Sequence, residues 1–186
     1  MKLSPAGRAF LAQQEGVVLR VYRDVSGIPT VGCGHVVLPG DHLEVGDEIS
    51  AQDADNMLAE DVAKCEAAIE RYVKPVLSQN AFDALCSLIF NIGVGAFAAS
   101  TVLKVLNGNS QSPLAEAWCL WDKDFQRGAE VTDPALLARR RREVALYLTP
   151  DAAIPADITG ALANGQPAVV LPEPLGPDVA PGEDVA

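Results

Sequence analysis

Residues 79–92 place Phe82, Ala84, Leu85, Cys86, Leu88, Ile89 and Phe90 on nearly every face of a helical wheel. A helix that is apolar all round has no side to show to water, so other elements must enclose it. Ser78 stands where an N-cap belongs. The segment is therefore expected to be the buried central helix, and the rest of the chain must supply its jacket.

Helical signals occur on both sides of it. Ser4-Pro5 pairs an N-cap with proline at the first helical position, and Gly16 is a natural terminator, which puts Glu15 at the C-terminal end of a short helix. Ser50 with Asp53 forms a capping box for a long helix reaching toward Pro75. Its apolar positions Ala54, Met57, Leu58, Val62, Cys65, Ala68, Ile69 and Tyr72 recur at helical spacing. Shorter helices are expected over 101–106 and 113–121, and Asp133-Pro134 opens a last one that ends near Leu148. Between the first two helices the pattern changes. Leu19–Asp24, a turn at Ser26-Gly27 and Ile28–His35 alternate like a hairpin, with Pro29, Gly32 and Gly34 suited to an edge strand closely approached by another group. A third short strand is expected around 43–48. The fold class is α+β and mainly helical: a hairpin lobe at about 16–49 and a helical lobe at about 50–149.

The composition changes near Thr149. Residues 150–186 hold seven of the 13 prolines, six of the 25 acidic residues and none of the 14 Lys and Arg. Such a segment buries too little to offset its ordering entropy alone, so an acidic, Pro/Ala-rich extension is expected, disordered or draped on the surface. The competing reading is a docking segment that orders on a partner or on the domain itself. The whole chain carries a net charge of −11, of which −5 falls on residues 1–149. This excess argues against nucleic acid, whose phosphates are bound by Lys and Arg, and against adhesion to anionic membranes. No stretch is long and apolar enough for a membrane span, and no secretory signal is expected at the N-terminus. Cys33, Cys65, Cys86 and Cys119 are scattered, without metal-ligand spacing, and are expected to be free thiols.

Breaking a glycosidic bond requires a proton donor for the leaving oxygen and an anion that activates water. Glu15 at a helix end and Asp24 where a strand enters its turn could supply both. Thr30, across the hairpin, offers a hydroxyl to hold the water. A Glu and an Asp nine residues apart arise often by chance, and solvated surface acids are the simpler reading of these residues alone.

A wider pattern decides between these readings. Glu15-Gly16, then Asp24, Thr30 and Gly32-Cys-Gly34-His35 resemble the active-site segment of the phage-type lysozymes, glycoside hydrolase family 24. Gln79-Asn80-Ala-Phe82-Asp83-Ala84-Leu85, Phe90-Asn91-Ile-Gly93 and Ser100-Thr101 resemble that family's central-helix region. Trp118 and the Arg-rich stretch with Glu143 resemble its C-terminal helices. The similarity runs in order over residues 5 to 148.

The resemblance implies a two-lobed lysozyme that acts on peptidoglycan glycan strands. It would be an inverting muramidase cutting between N-acetylmuramic acid and N-acetylglucosamine. Glu15 would be the general acid, and Asp24 with Thr30 would position and activate water. Phe90 and Ser100 match positions lining the saccharide cleft. No metal and no cofactor are implied, and a monomer is expected. As a phage or prophage endolysin, the protein would wait in the host cytoplasm and act in the periplasm and cell wall after release.

Other residues have structural readings. His35 is expected to pair with an acidic side chain or carbonyl and tie down the hairpin, with Gly32 and Gly34 serving close backbone approach. Trp118 is expected to anchor the core, and Arg139–Arg142 to disperse into surface ion pairs. The alternatives to a hydrolase are a lysozyme-fold wall-binding protein, a virion or secretion-apparatus component, and a lytic transglycosylase. The joint presence of Glu15, Asp24 and Thr30 speaks against pure binding, because a binding module needs no proton donor opposite an anion.

Overall fold

The helix spanning Gln79–Ile92 (α4) is enclosed as its composition requires: Ala84, Leu85, Cys86 and Leu88 are completely buried. In this computed structural model, which describes residues 1–126 and 129–151, the helices packed against α4 are α1 (Pro5–Glu15), α3 (Ala63–Tyr72), α5 (Val94–Ala99) and α8 (Pro134–Leu148). α6 (Thr101–Leu106) and α7 (Leu114–Cys119) close the same core, bringing in Val102, Ala117 and the fully buried Trp118. Burying side chains of this size contributes roughly 1.5–3 kcal/mol each.

The helix boundaries follow local chemistry. The Ser4 and Ser78 side chains accept backbone N–H groups from Gly7 and Ala81, and Asp133 accepts from Ala135. Ser50 and Asp53 form the reciprocal capping box of α2 (Ala51–Asp61). The long helix expected from Ser50 is in fact two. Val62, with ψ −13°, departs from the helical value and separates α2 from α3 by one residue. Its side chain stays in the core at 1% exposure, so the break does not uncover it.

A three-stranded antiparallel sheet, in the order β1-β2-β3, lies between α1 and α2. Its strands are β1 (Val18–Arg23), β2 (Pro29–Gly32) and β3 (His35–Val36). Thr30 pairs with Tyr22 on one side and Val36 on the other. The expected strand at 43–48 is not regular. That segment runs beside β1 through Val21 N–H to Asp47 O, Gly46 N–H to Val21 O and an isolated bridge from Arg20 to Glu48. A second hairpin, which the sequence reading missed, pairs β4 (Lys123–Gln126) with β5 (Ala129–Thr132). α5 was likewise not anticipated.

The described residues are pinned at both of their ends. Glu66 takes the Leu3 N–H at 2.8 Å and the Lys2 ammonium at 2.6 Å, while Asp83 accepts from the Ser4 N–H and hydroxyl. At the other end Asp151 accepts the N–H groups of Gln79 and Asn80, both at 3.0 Å, and Asn80 Nδ2 donates to Thr149 O at 3.1 Å. The expected extension beyond Asp151 lies outside the described residues. Among the described residues, no helix is long and apolar enough to cross a membrane. The four cysteines are free, and Cys33, Cys65 and Cys86 are buried.

Candidate active site

Glu15 ends α1 because Gly16 follows it at φ 77°, ψ 164°, a conformation essentially confined to glycine. The Gly16 N–H closes the helix on Ala12 O at 2.9 Å, and the chain turns directly into β1. The Glu15 carboxylate is therefore held at a fixed helix end, with 22% of the side chain exposed.

Asp24 sits at the exit of β1, at the base of the β1–β2 turn. Its Oδ1 accepts the N–H groups of Ser26 and Ile28 at 2.9 and 2.8 Å, and its backbone N–H reaches Ile28 O at 2.9 Å. One carboxylate oxygen thus holds the turn, and no donor within the described residues takes the other. Thr30, on β2 and 5% exposed, donates its hydroxyl to Ile28 O at 3.0 Å. With its proton so placed, the hydroxyl oxygen retains acceptor capacity.

The residues around Glu15 were not foreseen. Arg139 and Arg140, expected at the surface, are 6% and 0% exposed. Arg139 NH2 lies 2.6 Å from Glu15 Oε1, an ion-pair contact without hydrogen-bond alignment, and its Nε donates to Glu143 Oε1 at 3.0 Å. Arg140 bridges Glu143 Oε2 at 3.2 Å and Asn91 Oδ1 at 2.6 Å. Glu143 is fully buried and also accepts from the Ser87 hydroxyl at 2.8 Å and the Trp118 indole N–H at 2.9 Å. Arg141 and Arg142 face outward, and Arg142 donates to Gln14. The spacing Arg139–Glu143 was a visible i,i+4 signal on α8. The partnership with Glu15, by contrast, exists only once the chain has folded.

His35 lies between two carboxylates, with Nδ1 2.9 Å from Asp61 Oδ2 and Nε2 3.2 Å from Asp41 Oδ2. Burial alone would lower its pKa, but the hydrogen bonds to Asp61 and Asp41 outweigh burial and raise it. Gly32 is required by its backbone at φ 63° rather than by close approach, since a Cβ there would make only an ordinary 3.6 Å contact with Ala54 Cβ. Gly34, at φ 82°, completes the β2–β3 turn. Cys33, between them, is a buried thiol pushed up to about 11, first by burial and then by the Glu15 charge.

Phe90 is half-buried near the end of α4, with Lys64 Nζ 6.0 Å from its ring centre. Ser100 is 4% exposed and caps α6, its hydroxyl accepting the Leu103 N–H at 3.0 Å. Trp118, held in the core, packs its ring 5.4 Å from that of Tyr147. Among the described residues, no group of three or more His, Cys, Asp or Glu side chains is arranged to hold a metal.

A small three-stranded sheet joined to a helical core, with a glutamate at the end of the helix before it and an aspartate and a threonine on its hairpin, is the arrangement of a lysozyme-like glycan hydrolase. The phage lysozyme family model matches residues 12–143, and the chain belongs to that family. It is 44% identical over 151 residues to the endolysin of Salmonella phage P22, which covers 80% of this chain and 99% of that one. A crystal structure of a P22 lysozyme mutant superposes with TM-score 0.70 at 43% identity, covering 80% of this chain and 99% of the other. The endolysin of Escherichia coli O157:H7 phage FAHEc1 superposes at 0.73 with 38% identity, covering 83% and 97%. The muramidase domain of SpmX from Asticaccaulis excentricus does so at 0.71 with 33% identity, covering 80% and 99%. The protein is accordingly a lysozyme-type peptidoglycan hydrolase, a glycoside hydrolase with the mainly helical α+β fold expected of it.

Proposed function

We propose that the enzyme is an inverting N-acetylmuramidase that uses Glu15 as general acid and Asp24 with Thr30 as the water site. The observation that carries this reading is the division of labour at Asp24. Oδ1 is fixed by two backbone N–H groups while no donor among the described residues takes Oδ2. A water donating one proton to that oxygen and the other to the Thr30 hydroxyl oxygen would point a lone pair outward, toward the anomeric carbon of N-acetylmuramic acid. Glu15 gives its proton to the leaving oxygen of the glycosidic bond. Water attacks from the opposite face and passes a proton to Asp24, and solvent exchange restores both carboxyls. Phe90 would line the path of the glycan strand, and the buried Ser100 would shape it only through the start of α6 that it caps.

The biological role most consistent with relatives called endolysins is host lysis by a monomeric enzyme, held in the host cytoplasm until release and acting on the periplasmic cell wall. Residues 1–149 would form the catalytic domain, and 150–186 would serve as an extension able to meet a protein partner.

The test is muropeptide release from purified Gram-negative peptidoglycan, read by mass spectrometry, for wild type and Glu15→Gln. Reducing-end muramic acid products from wild type, falling at least about 100-fold in the variant, support the assignment. Anhydro-muramic products would replace it with a transglycosylase, and full activity in Glu15→Gln would remove Glu15 from the chemistry.

A further inference from the structure

Glu143 is a fully buried carboxylate that takes no part in the hydrolysis as just described, yet α4, α7 and α8 all send donors to it. Two of its neighbours are guanidinium groups, and one of these, Arg139, also contacts Glu15. Glu15, Arg139, Glu143 and Arg140 thus form one chain of alternating charge from the partly exposed Glu15 into the core. With Glu15 ionised the four charges cancel. With Glu15 protonated, as the general acid must be before it acts, one positive charge remains.

We propose that Glu143 is a positioning residue for hydrolysis: it fixes Arg139 against Glu15 and offsets enough of the guanidinium charge for Glu15 to carry the proton it delivers. This rests on the reading of Glu15 as the acid. Geometry supports both halves. Arg139 Nε is committed to Glu143 at 3.0 Å, which leaves NH2 to reach Glu15 at 2.6 Å and Ser87 O at 3.2 Å. The Glu143 oxygens have donors from Ser87, Trp118 and Arg139, so the carboxylate cannot swing away from the arginine pair.

Among the described residues, the other charged or titratable groups near Glu15 are few. From α8 there are Arg139 and Arg140, and from the β2–β3 turn the Cys33 thiol, which stays neutral at physiological pH. Asp55 and Asp61, from α2, act on the same thiol, and Asp24 stands at the exit of β1. Around Glu143, Ser87 of α4 and Trp118 of α7 are neutral donors. Among the described residues, the charge facing Glu15 from the core is therefore governed by Arg139, Arg140 and Glu143.

Charge counting gives opposite signs for two variants. Glu143→Gln leaves both guanidiniums uncompensated by Glu143, so the ionised acid is favoured and the alkaline limb of the kcat/KM–pH profile moves to lower pH. Arg140→Gln leaves Glu143 balanced on Arg139 alone and moves that limb to higher pH. Arg140 is a reasonable second site, because burial already lowers its pKa and its Nε has no hydrogen-bond partner among the described residues.

The experiment measures kcat/KM against pH for wild type, both variants and Glu15→Gln, with folded fraction followed by circular dichroism. The expected result is a downward shift of about one pH unit or more for Glu143→Gln, with roughly tenfold lower activity at neutral pH and recovery toward acid. Arg140→Gln should shift the limb upward. A merely structural Glu143 would scale the whole profile by the folded fraction without moving the limb. That outcome, or shifts of the same sign in both variants, overturns the proposal while leaving Glu15 as the acid. If Glu143→Gln does not fold, the Arg140→Gln limb decides alone, an unmoved or lowered limb being the overturning result. Activity retained in Glu15→Gln overturns both readings.

Discussion

His35 bonds Asp61 through one ring nitrogen and Asp41 through the other, so the start of β3, the end of α2 and the turn at 39–41 meet at a single imidazole. Asp41 also accepts the Leu38 N–H at 2.6 Å, and its pKa is lowered chiefly by that bond, with His35 adding to it. Stability should depend on pH in two directions. The raised pKa of His35 means that its contribution is fully present below the ordinary value of 6.5 and is lost as pH rises through the folded value. The lowered pKa of Asp41 means that its contribution is present above 3.8 and is lost as pH falls through the folded value.

Thermal unfolding followed across this range should show a maximum between these limits. His35→Asn should lower Tm by roughly 2–4 °C at pH 5.5, on the order of 1 kcal/mol for hydrogen bonds to a partly exposed charged group. The difference from wild type should shrink by pH 9. A pH-independent difference would show that packing, not charge, is what His35 supplies.

The Arg139 bridge makes a prediction about geometry. A guanidinium reaches Glu15 and Glu143 at once, whereas an ammonium is a single point charge. Arg139→Lys should therefore keep the net charge but lower kcat about tenfold, with KM changing less. Steady-state kinetics on soluble glycan fragments would check this, and equal effects on kcat and KM would point to a disturbed binding cleft.

Much of this architecture was legible in the sequence where its causes are local. Ser4-Pro5, Ser50 with Asp53, Ser78 and Asp133-Pro134 each mark a helix start through a side chain that meets N–H groups within three residues. The enclosure of α4 followed from its apolar circumference. Where causes are remote, the reading went astray. Four consecutive arginines on an isolated helix point in all directions, and besides its local partner Glu143, Arg139 is buried against Glu15 and Ser87, 124 and 52 residues away. The break at Val62 is a change in one dihedral that hydrophobic spacing does not register. The β4–β5 hairpin follows a helix without any long alternating run, although Gly128 flanked by Val131-Thr132 was an available turn signal. Positions at the candidate site came from family resemblance, since the residue pattern of Glu15 and Asp24 alone was common.

Asp151 caps α4 from more than 70 residues away along the chain, and this contact extends the structured part of the chain at least two residues beyond the compositional break. Its pKa is lowered by the N–H groups of Asn80 and Gln79, so its stabilising effect is present above 3.8 and fades as pH falls. Truncation after Asp151 should preserve Tm and hydrolysis. Truncation after Thr149 should lower Tm by a few degrees, and Asp151→Ala in the full chain should do the same. Equal Tm for the two truncations would mean that Ser78 alone suffices to cap α4.

The two oxygens of Asp24 allow structure and chemistry to be separated at one residue. Asn at this position retains an oxygen that can accept from Ser26 and Ile28, so the β1–β2 turn should keep its shape. What Asn lacks is the second anionic oxygen, and with it the ability to take a proton from water. Asp24→Asn should therefore keep Tm within about 2 °C of wild type, a small change by the usual scale of surface substitutions. Hydrolysis should still fall about 100-fold or more. Asp24→Ala should lose both, because two N–H groups are left without their acceptor. Differential scanning calorimetry beside the muropeptide assay gives both readouts on one sample. If Asp24→Asn were as unstable as Asp24→Ala, the carboxylate charge would be holding the turn. If Asp24→Asn instead kept wild-type turnover, the water would have to be activated elsewhere.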